Sequence, residues 1–410
     1  MYEIVIIGAG AAGLSAASTA IMQKPDTKIL ILERGNKCGR KLSASGNGKC
    51  NLTNSFFEKD CYFSNNSSFI EQFVDDNSPN DVIAFFEKCG LLVYEKDGYY
   101  YPLSDMARQV TDRLLNICAS HRVVIEYDKC VLGIEPTDNF KSYLVKTTDN
   151  EYKCRKVIIA TGSNSYPGLG GTECGYELIK NMDIDMTEIF PVLIPVYVDD
   201  DKLSIAQGVR INAEVTLDFG DKKIRERGQV QINNNNLSGI AIMNLSCYLP
   251  KIEQALLKDC FYIDYLPYMS WDKLKSYIKN QCLDDICDNI LSVLEGIFPS
   301  KFAKYLLDKL NIDSQIITAK ITEKQINKIT SYIKKMRYTP LPQYDNEKSQ
   351  ASLGGVNIDE ICADSYETRK YEGVYIVGEA LDITGKCGGY NLTFAILSGI
   401  KAAQNALDNL

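Results

Sequence analysis

The sequence predicts an α/β fold in which both ends of the chain add strands to one parallel sheet. The first observation is an apolar run, Ile4–Ile7, that leads into the glycine-rich turn G-A-G-A-A-G at Gly8–Gly13. The second is the apolar run Val157–Gly162, which also ends in a turn of small residues. The third is Gly373–Glu379, which repeats this pattern close to the other terminus. Short buried strands that end in glycine turns are typical of nucleotide-binding folds, so one site built from both ends is expected.

The turn at Gly8–Gly13 has the residues that a dinucleotide pyrophosphate requires. Gly8 permits a tight turn, Gly10 lets the backbone approach the phosphates, and Gly13 lets the next helix pack on the sheet. That helix is predicted over Leu14–Gln23, and its unpaired amides would face the phosphates with a partial positive charge. The pattern therefore predicts a dinucleotide site rather than an ordinary β-α turn.

A second apolar run, Lys28–Leu32, places an acidic residue at the edge of the same site. Glu33 follows this run directly. In dinucleotide-binding folds a carboxylate at this point accepts hydrogen bonds from the adenosine ribose and repels a 2'-phosphate. The site should therefore bind FAD or NAD.

The later strands decide between FAD and NAD. In two-dinucleotide-binding flavoproteins an A-T-G strand and a late G-(D/E) strand border one cofactor, and this chain resembles them at Ala160–Gly162 and Gly378–Glu379. The segment G-G-Y-N at Gly388–Asn391 then opens a helix predicted over Leu392–Leu407. Amides at the start of that helix would stabilise negative charge on the N1/O2 edge of a reduced flavin. FAD is therefore the expected cofactor.

Long motifs extend the resemblance to the whole chain. They are G-R-K-L-S-A-S-G-N-G-K-C-N-L-T-N at Gly39–Asn54, G-x-x-Y-P-x-S-x-x-A-x-x-V at Gly98–Val110, A-T-G-x-x-S-Y-P-x-x-G-x-T-x-x-G at Ala160–Gly175, P-x-L-x-P at Pro191–Pro195 and G-G-V at Gly354–Val356. By these motifs the chain resembles a family of bacterial flavoproteins that includes bile-acid 4-ene reductases and aminoacetone oxidases. It departs from the family pattern at Lys49, where the family has arginine, and at Asn233–Gly239, where the family often has T-H-x-G-L-S-G.

The resemblance and the residue patterns together imply a Rossmann-like FAD-binding domain with an insertion. The FAD-binding domain is expected over residues 1–188 and 338–410. Alternating polar and apolar residues, clearest at Arg210–Leu217, predict a β-rich substrate subdomain over 189–250. Helical spacing, as in Trp271–Ile278, predicts a helical subdomain over 251–337.

The sequence also predicts which residues would contact the cofactor. They are Gly8, Gly10, Ala11, Ala12, Gly13, Glu33, Arg34, Arg40, Lys41, Ser45, Gly46, Asn51, Val131, Ala160, Thr161, Gly162, Gly378, Glu379, Asp382, Gly389, Asn391 and Leu392. Arg40 and Lys41, together with Lys49 of the same glycine-rich loop, are expected to steady the pyrophosphate or the ribityl chain. Asp382 and Glu379 are expected to accept hydrogen bonds on the same side.

Proton transfer is assigned to tyrosines. Tyr166 in S-Y-P and Tyr390 in G-G-Y-N lie in turns that should approach the isoalloxazine, and they are the two catalytic candidates. The single histidine, His121, heads a strand-like run far in sequence from the flavin motifs and is not expected to act. Asn234 occupies the position of the family's histidine, and an amide does not titrate near neutral pH.

Three functions compete at this point. The favoured one, which the resemblance to the bile-acid reductases implies, is hydride transfer through flavin N5 to an activated C=C bond of an apolar small molecule, such as a 3-oxo-4-ene steroid or bile acid. The first alternative is an amine oxidase that produces hydrogen peroxide, and the second is a flavin-bearing RNA-modification or RNA-binding protein. Because no second nucleotide motif follows, a reductase would take electrons from a transiently bound NAD(P)H or from a docked electron carrier.

The composition of the chain restricts its expected partners, location and metal sites. A net charge of -8 and a sequence pI near 5.1 predict no nucleic-acid partner. No apolar run approaches the ~18 residues of a membrane span, and no signal peptide precedes the first strand, so a cytoplasmic enzyme is expected. The 14 cysteines are scattered through the 410 residues, which favours reduced thiols over disulfides. One histidine predicts no histidine-rich metal site and a non-covalent FAD.

Overall fold

The computed structural model describes residues 1–138, 140–219, 222–253, 256–283 and 287–410. Its strands are β1 (Tyr2–Ile7), β2 (Ile29–Leu32), β3 (Thr53–Asn54), β4 (Tyr62–Phe63), β5 (Val93–Lys96), β6 (Tyr99–Pro102), β7 (Val124–Glu126), β8 (Val131–Thr137), β9 (Ser142–Thr147), β10 (Glu151–Ile159), β11 (Phe190–Val192), β12 (Val196–Tyr197), β13 (Arg210–Phe219), β14 (Lys222–Ile232), β15 (Asn236–Ser238), β16 (Phe261–Asp264), β17 (Met336–Tyr338), β18 (Ala351–Leu353), β19 (Val374–Ile376) and β20 (Thr384–Gly385).

The helices alternate with these strands in the first half of the chain and cluster in the second. They are α1 (Ala11–Gln23), α2 (Arg40–Ala44), α3 (Ser67–Asp76), α4 (Pro79–Lys88), α5 (Ala107–Ser120), α6 (Cys174–Asn181), α7 (Ile240–Ser246), α8 (Leu257–Cys260), α9 (Trp271–Leu283), α10 (Ile290–Glu295), α11 (Ser300–Lys309), α12 (Glu323–Lys334) and α13 (Tyr390–Asp408). Among the described residues, no helix combines the length and the apolar character that a bilayer crossing requires.

The chain forms two compact units. One comprises residues 1–191 together with 346–410, and the other comprises residues 192–345. Each unit has its own buried apolar core. The domain limits expected from the sequence, including the division of the insertion at residue 250, remain predictions.

The first unit is built on a seven-stranded sheet with a parallel centre. Its parallel strands follow the order β7-β2-β1-β10-β19, and β9 and β8 continue as an antiparallel meander from the first half of β10. All four residues of β2 are buried, as are the last four of β1, because parallel strands are covered on both faces. The predicted α/β, Rossmann-like fold is confirmed, and β19 brings the distant end of the chain into the sheet.

Two helices from opposite ends of the chain pack together beside this sheet. In α1 ten consecutive residues, Ala12–Ile21, are buried, and small side chains predominate among them. A Cβ added at Gly399 of α13 would lie 2.4 Å from the carbonyl oxygen of Ala12. Only glycine therefore fits at this crossing, and the close approach fixes α13 against α1.

The second unit contains a six-stranded antiparallel sheet in the order β12-β15-β14-β13-β16-β17. The strand predicted at Arg210–Leu217 is β13, and the helix predicted from Trp271 is α9. The helical spacing of 251–337 concealed β16 and β17, which join the sheet through pairing with β13 and with each other. Such short strands leave little periodic signal, because partners distant in sequence supply their stability.

One local expectation about the first unit was wrong. His121 was expected to head a strand, but β7 begins at Val124. His121 instead follows the last residue of α5, and its Nδ1 lies 3.0 Å from the carbonyl oxygen of Ile117. The strand therefore begins three residues later than expected.

Candidate active site

The carboxyl ends of four neighbouring strands bring the glycine-rich turns of the first unit together. Backbone amides just past these ends continue the parallel ladder, with Gly8 donating to Leu32 (2.8 Å), Ala160 to Ile7 (2.8 Å) and Val377 to Ile159 (3.0 Å). In open parallel sheets the crevice outside the carboxyl ends of the strands is the usual place for a ligand. Turns that are 370 residues apart in the sequence thus share one edge, since Gly8 and Gly378 both lie there.

The three glycines of the first turn have different functions. Gly8 has φ +103, and a Cβ there would lie 2.4 Å from the carbonyl oxygen of Ala160. A Cβ at Gly13 would lie 2.0 Å from the carbonyl oxygen of Gly8. At Gly10, by contrast, no described atom beyond its chain neighbours lies within 4 Å of the Cβ position. The protein itself requires the outer glycines, whereas the central one leaves an open cradle at the start of α1.

Glu33 is held in a fixed orientation beside this cradle. One carboxylate oxygen accepts a hydrogen bond from the amide of Ala9 at 2.8 Å, and the other accepts from the amide of Gly35 at 2.7 Å. A carboxylate oxygen can accept more than one hydrogen bond, so both retain capacity for a ligand. The side chain is half-buried and stands where a ribose-binding carboxylate was expected.

Two buried oxygen atoms at the same edge have no hydrogen-bond partner within the described part of the chain. They are the Thr161 hydroxyl, just past β10, and the Asn51 side-chain oxygen, just before β3. Burial of an unpaired polar atom costs about 1–3 kcal/mol, and most buried polar atoms are therefore satisfied. A Cβ at Gly389, which precedes α13, would lie 3.0 Å from the Asn51 oxygen. A polar ligand at the start of α13 would satisfy that oxygen.

Three cationic side chains hold the loop that follows β10. Arg34 donates to the carbonyl oxygen of Gly170 (3.2 Å), Arg40 to that of Gly168 (3.0 Å), and Lys41 to the hydroxyl of Ser165 (2.7 Å). The expectation that Arg40 and Lys41 steady a pyrophosphate remains a prediction. Their observed contacts fix residues 165–170 instead.

Lys41 also forms an ion pair with Glu379. The Lys41 ammonium lies 2.7 Å from Oε2 of Glu379, and the Ser165 hydroxyl lies 3.3 Å from Oε1 of the same carboxylate. The hydroxyl of Ser163 extends this network, at 2.7 Å from that of Ser165. The sequence motifs contained each of these residues, but they gave no sign that the residues contact each other.

Tyr166 is the more accessible of the two tyrosine candidates. Its side chain is 39% exposed, and its hydroxyl makes no hydrogen bond within the described residues. Its backbone has φ +53, which is unusual for a bulky residue, and its amide lies 3.3 Å from the Ser349 hydroxyl. Strained backbone of this kind is often found at functional sites, where surrounding contacts maintain it. Tyr166 is therefore held in place with its phenol free.

Tyr390 lies in a different environment. It is 6% exposed, and its hydroxyl donates to the carbonyl oxygen of Phe56 at 2.8 Å. Its ring packs edge-on against that of Tyr62, with centroids 5.7 Å apart. A proton donor would have to break this backbone hydrogen bond, so the geometry favours Tyr166. The assignment of Tyr390 as a catalytic residue remains a prediction.

Asp382 and Asn391 bind the backbone near the start of α13. Asp382 is 2% exposed and accepts a hydrogen bond from the amide of Asn65 at 3.0 Å. The side-chain amide of Asn391 pairs with both backbone groups of Gly385, each at 2.7 Å. These side chains shape the segment before α13, which begins at Tyr390 rather than at the expected Leu392.

The remaining nominated residues lie around the same edge. Ser45 donates to the carbonyl oxygen of Leu42 (2.7 Å), Gly46 has φ +56 beside the amide of Asn51, and Val131 opens β8. Ala11 and Ala12 begin α1, and Leu392 lies in the first turn of α13. A Cβ added at Gly378 would lie 3.1 Å from the Cβ of Ala12, whereas no described atom beyond its chain neighbours lies within 4 Å of the Cβ position of Gly162. Their contacts with a cofactor remain predictions.

Cys50, inside the second glycine-rich motif, is expected to be chemically inert. It is completely buried, and burial raises the pKa of its thiol to about 12. The reactive thiolate is therefore almost absent at pH 8. We expect native protein treated with iodoacetamide to leave Cys50 unmodified while half-buried Cys362 reacts, as read by peptide mass spectrometry. Rapid alkylation of Cys50 without unfolding would contradict this assignment.

Known proteins are similar to this chain over nearly its whole length. The family described as HI0933-like protein Rossmann domain matches residues 2–405. A 3-dehydro-bile acid delta(4,6)-reductase of Clostridium scindens is 29% identical over 412 residues, covering 100% of both chains. A ribosomal RNA dihydrouridine synthase of Escherichia coli is 27% identical over 414 residues, covering 99% of this chain and 98% of the relative.

The fold also recurs among solved structures. A 3-ketosteroid delta1-dehydrogenase from Sterolibacterium denitrificans, solved with 1,4-androstadiene-3,17-dione, superposes with a TM-score of 0.52. It shares 11% identity and covers 100% of both chains. At this identity the likeness concerns the fold alone.

Proposed function

Because the chain belongs to the HI0933-like Rossmann family, we propose that it is an FAD-dependent oxidoreductase that reduces a C=C bond conjugated to a carbonyl group. The observation that carries this proposal is the open cradle at Gly10, together with the two buried oxygen atoms, of Thr161 and Asn51, that have no hydrogen-bond partner among the described residues. A dinucleotide would fill the cradle and would supply hydrogen-bond partners to the two oxygen atoms. The name of one relative, a 3-dehydro-bile acid delta(4,6)-reductase, guides the choice of reaction.

The reactions that the names of those relatives describe share one type of chemistry. A 4-ene bond beside a 3-oxo group and the C5=C6 bond of uridine are both conjugated to a carbonyl. Reduction of either one requires a hydride at one carbon of the double bond and a proton at the other. We propose this reaction class for the present chain, with a 3-oxo-4-ene steroid or bile acid as the favoured substrate.

The residues at the strand ends fit an FAD molecule in a defined order. The turn at Gly8–Gly13 and the first amides of α1 would receive the pyrophosphate, and Glu33 would receive the adenosine ribose. Asn51 and the start of α13 would receive the polar edge of the flavin ring. When bound and reduced, FAD supplies a hydride from N5. No covalent attachment is proposed.

Tyr166 would supply the accompanying proton from its exposed hydroxyl. Its loop is fixed by Lys41, Arg40 and Arg34, and the phenol makes no hydrogen bond within the described part of the chain. Positioning of a proton donor typically contributes 10²–10⁴-fold to a rate. We propose NAD(P)H as a transient electron donor, with a docked electron carrier as the alternative.

An anaerobic substrate panel tests this proposal. The protein would be reconstituted with FAD, reduced with NADH or NADPH, and mixed with a 3-oxo-4-ene steroid, a small amine or a uridine-containing RNA. We expect the enone to restore the oxidised flavin spectrum and to yield the saturated ketone. Peroxide formed from aerobic enzyme and an amine would support the oxidase instead.

A second candidate, reduction of a uridine within RNA, is favoured by one face of the sheet in the second unit. Basic side chains share this face, as the strand register shows: Arg210, Lys223, Arg225, Arg227 and Arg337, with Lys335 stacked at 4.4 Å over the ring of Tyr262. Three acidic residues accompany them: Glu214, Asp218 and Asp264. Tyr268 is 83% exposed and lies beside Arg227. Basic and aromatic groups together bind RNA despite a net negative chain.

A charge-removal variant tests this second candidate. Substitution of Lys223, Arg225 and Arg227 by alanine should weaken RNA binding and reduce its dependence on salt. The matched control removes three exposed lysines elsewhere, at Lys88, Lys320 and Lys324. Equal loss in both variants, or no retention of RNA by the wild type at moderate salt, would exclude this face as an RNA site.

A further inference from the structure

We propose that Lys41 and Glu379 form a charge-balanced pair that sets the reduction potential of the bound flavin. This inference rests on the proposed function, since it requires FAD at the strand ends. Lys41 lies on α2, and Glu379 lies three residues past the end of β19. Their charged atoms are 2.7 Å apart. The pair therefore joins a helix from the first part of the chain to a turn from the last.

The pair lies where its charges would act on the cofactor. Glu379 directly follows Gly378 at the carboxyl end of β19, and Ser165, which contacts both charges, belongs to the loop after β10. These are neighbouring strands of the parallel sheet. The proposed FAD crosses their ends, so both partners lie on the edge that carries it.

Partial burial keeps these charges effective. The Lys41 side chain is 33% exposed and that of Glu379 is 16% exposed. Solvent and salt screen such a pair less than a surface pair. In the intact pair the two charges largely cancel, and removal of either partner leaves the other uncompensated.

The expected effects of the two single substitutions have opposite signs. Reduction adds electrons to the flavin, so a nearby positive charge favours the reduced form and a negative charge disfavours it. Glu379→Gln leaves the lysine unbalanced and should raise the midpoint potential. Lys41→Met leaves the carboxylate unbalanced and should lower it. The double variant restores neutrality and should return toward the wild-type value.

Anaerobic spectroelectrochemistry on the FAD-loaded protein measures these shifts directly. Lys59 and Glu71 provide a matched control, because they form a 2.8 Å pair with side chains 61% and 52% exposed. Lys59→Met and Glu71→Gln should leave the potential unchanged. The charge-keeping variants Lys41→Arg and Glu379→Asp should stay close to the wild type, and they remain informative if a neutralised variant folds poorly.

The outcomes separate this inference from the proposed function. If the wild type binds no FAD, the proposed function fails. If FAD binds but both single substitutions shift the potential in the same direction, or neither shifts it, the charge-balance proposal is wrong. The charge-balance proposal is also wrong if the midpoint potential of the double variant differs from the wild-type value at least as much as that of the more affected single variant. Restored neutrality would then have no effect on the potential.

Discussion

Replacement of Gly10 by leucine is expected to weaken FAD binding at least ~100-fold, or roughly 3 kcal/mol, while leaving the fold intact. Gly10 has φ -82, which any residue adopts, and open space surrounds its Cβ position among the described residues. The leucine side chain would occupy the cradle that a pyrophosphate needs. Loss of glycine before α1 should cost at most about 1 kcal/mol of folding free energy. Flavin titration and thermal unfolding of the apoprotein measure the two effects separately.

Gly13→Ala provides the matched comparison. Its Cβ would lie 2.0 Å from a backbone oxygen of Gly8 and 3.3 Å from the Ile6 side chain. A backbone atom cannot yield as a flexible side chain does, so this smaller substitution should destabilise the apoprotein by a few kcal/mol. Wild-type FAD affinity in Gly10→Leu would contradict the placement of the pyrophosphate.

Substitution of Tyr166 by phenylalanine should slow reduction of the substrate by about 100-fold or more. The phenol has no internal hydrogen bond within the described residues, so its removal should not change stability or FAD affinity. Flavin reduction by NAD(P)H should also keep its rate, since that half-reaction takes no proton from Tyr166. Stopped-flow spectroscopy of the two half-reactions separates these rates.

Two further substitutions define the specificity of this effect. Tyr277→Phe removes a phenol of similar exposure, 37%, on α9 and should have no effect on either half-reaction. Tyr390→Phe removes a hydrogen bond to the Phe56 carbonyl oxygen and should cost about 1 kcal/mol of stability. A slow oxidative half-reaction in Tyr390→Phe, with normal kinetics in Tyr166→Phe, would reverse the assignment.

Several strands and helices of the first unit could be predicted because their signals are local. The apolar run before Gly8 and the glycines at fixed spacing define β1, the turn and α1 with few competing interpretations. The same holds for β19, whose short apolar run stands between two glycines. Fold class and the edge that carries the site follow from such segments once parallel pairing is assumed.

Contacts between distant segments could not be predicted in this way. Arg40 and Lys41 follow the second strand and suggest phosphate ligands, but they bind a loop more than 120 residues later. Nothing in either segment specifies this pairing. Tyr166 and Tyr390 likewise stand in similar motifs, but Tyr390 packs against the ring of Tyr62 and is buried, whereas Tyr166 is exposed. Side-chain exposure depends on tertiary contacts that residue spacing does not encode.

Titration of the apoprotein with FAD shows whether turns from both ends of the chain hold one flavin. Absorbance and fluorescence would be followed for the wild type and for Gly10→Leu in parallel. We expect saturation at one FAD per chain for the wild type, with a perturbed flavin spectrum, and little binding by the variant. Wild-type protein that leaves the spectrum of free FAD unchanged at every ratio would contradict this expectation.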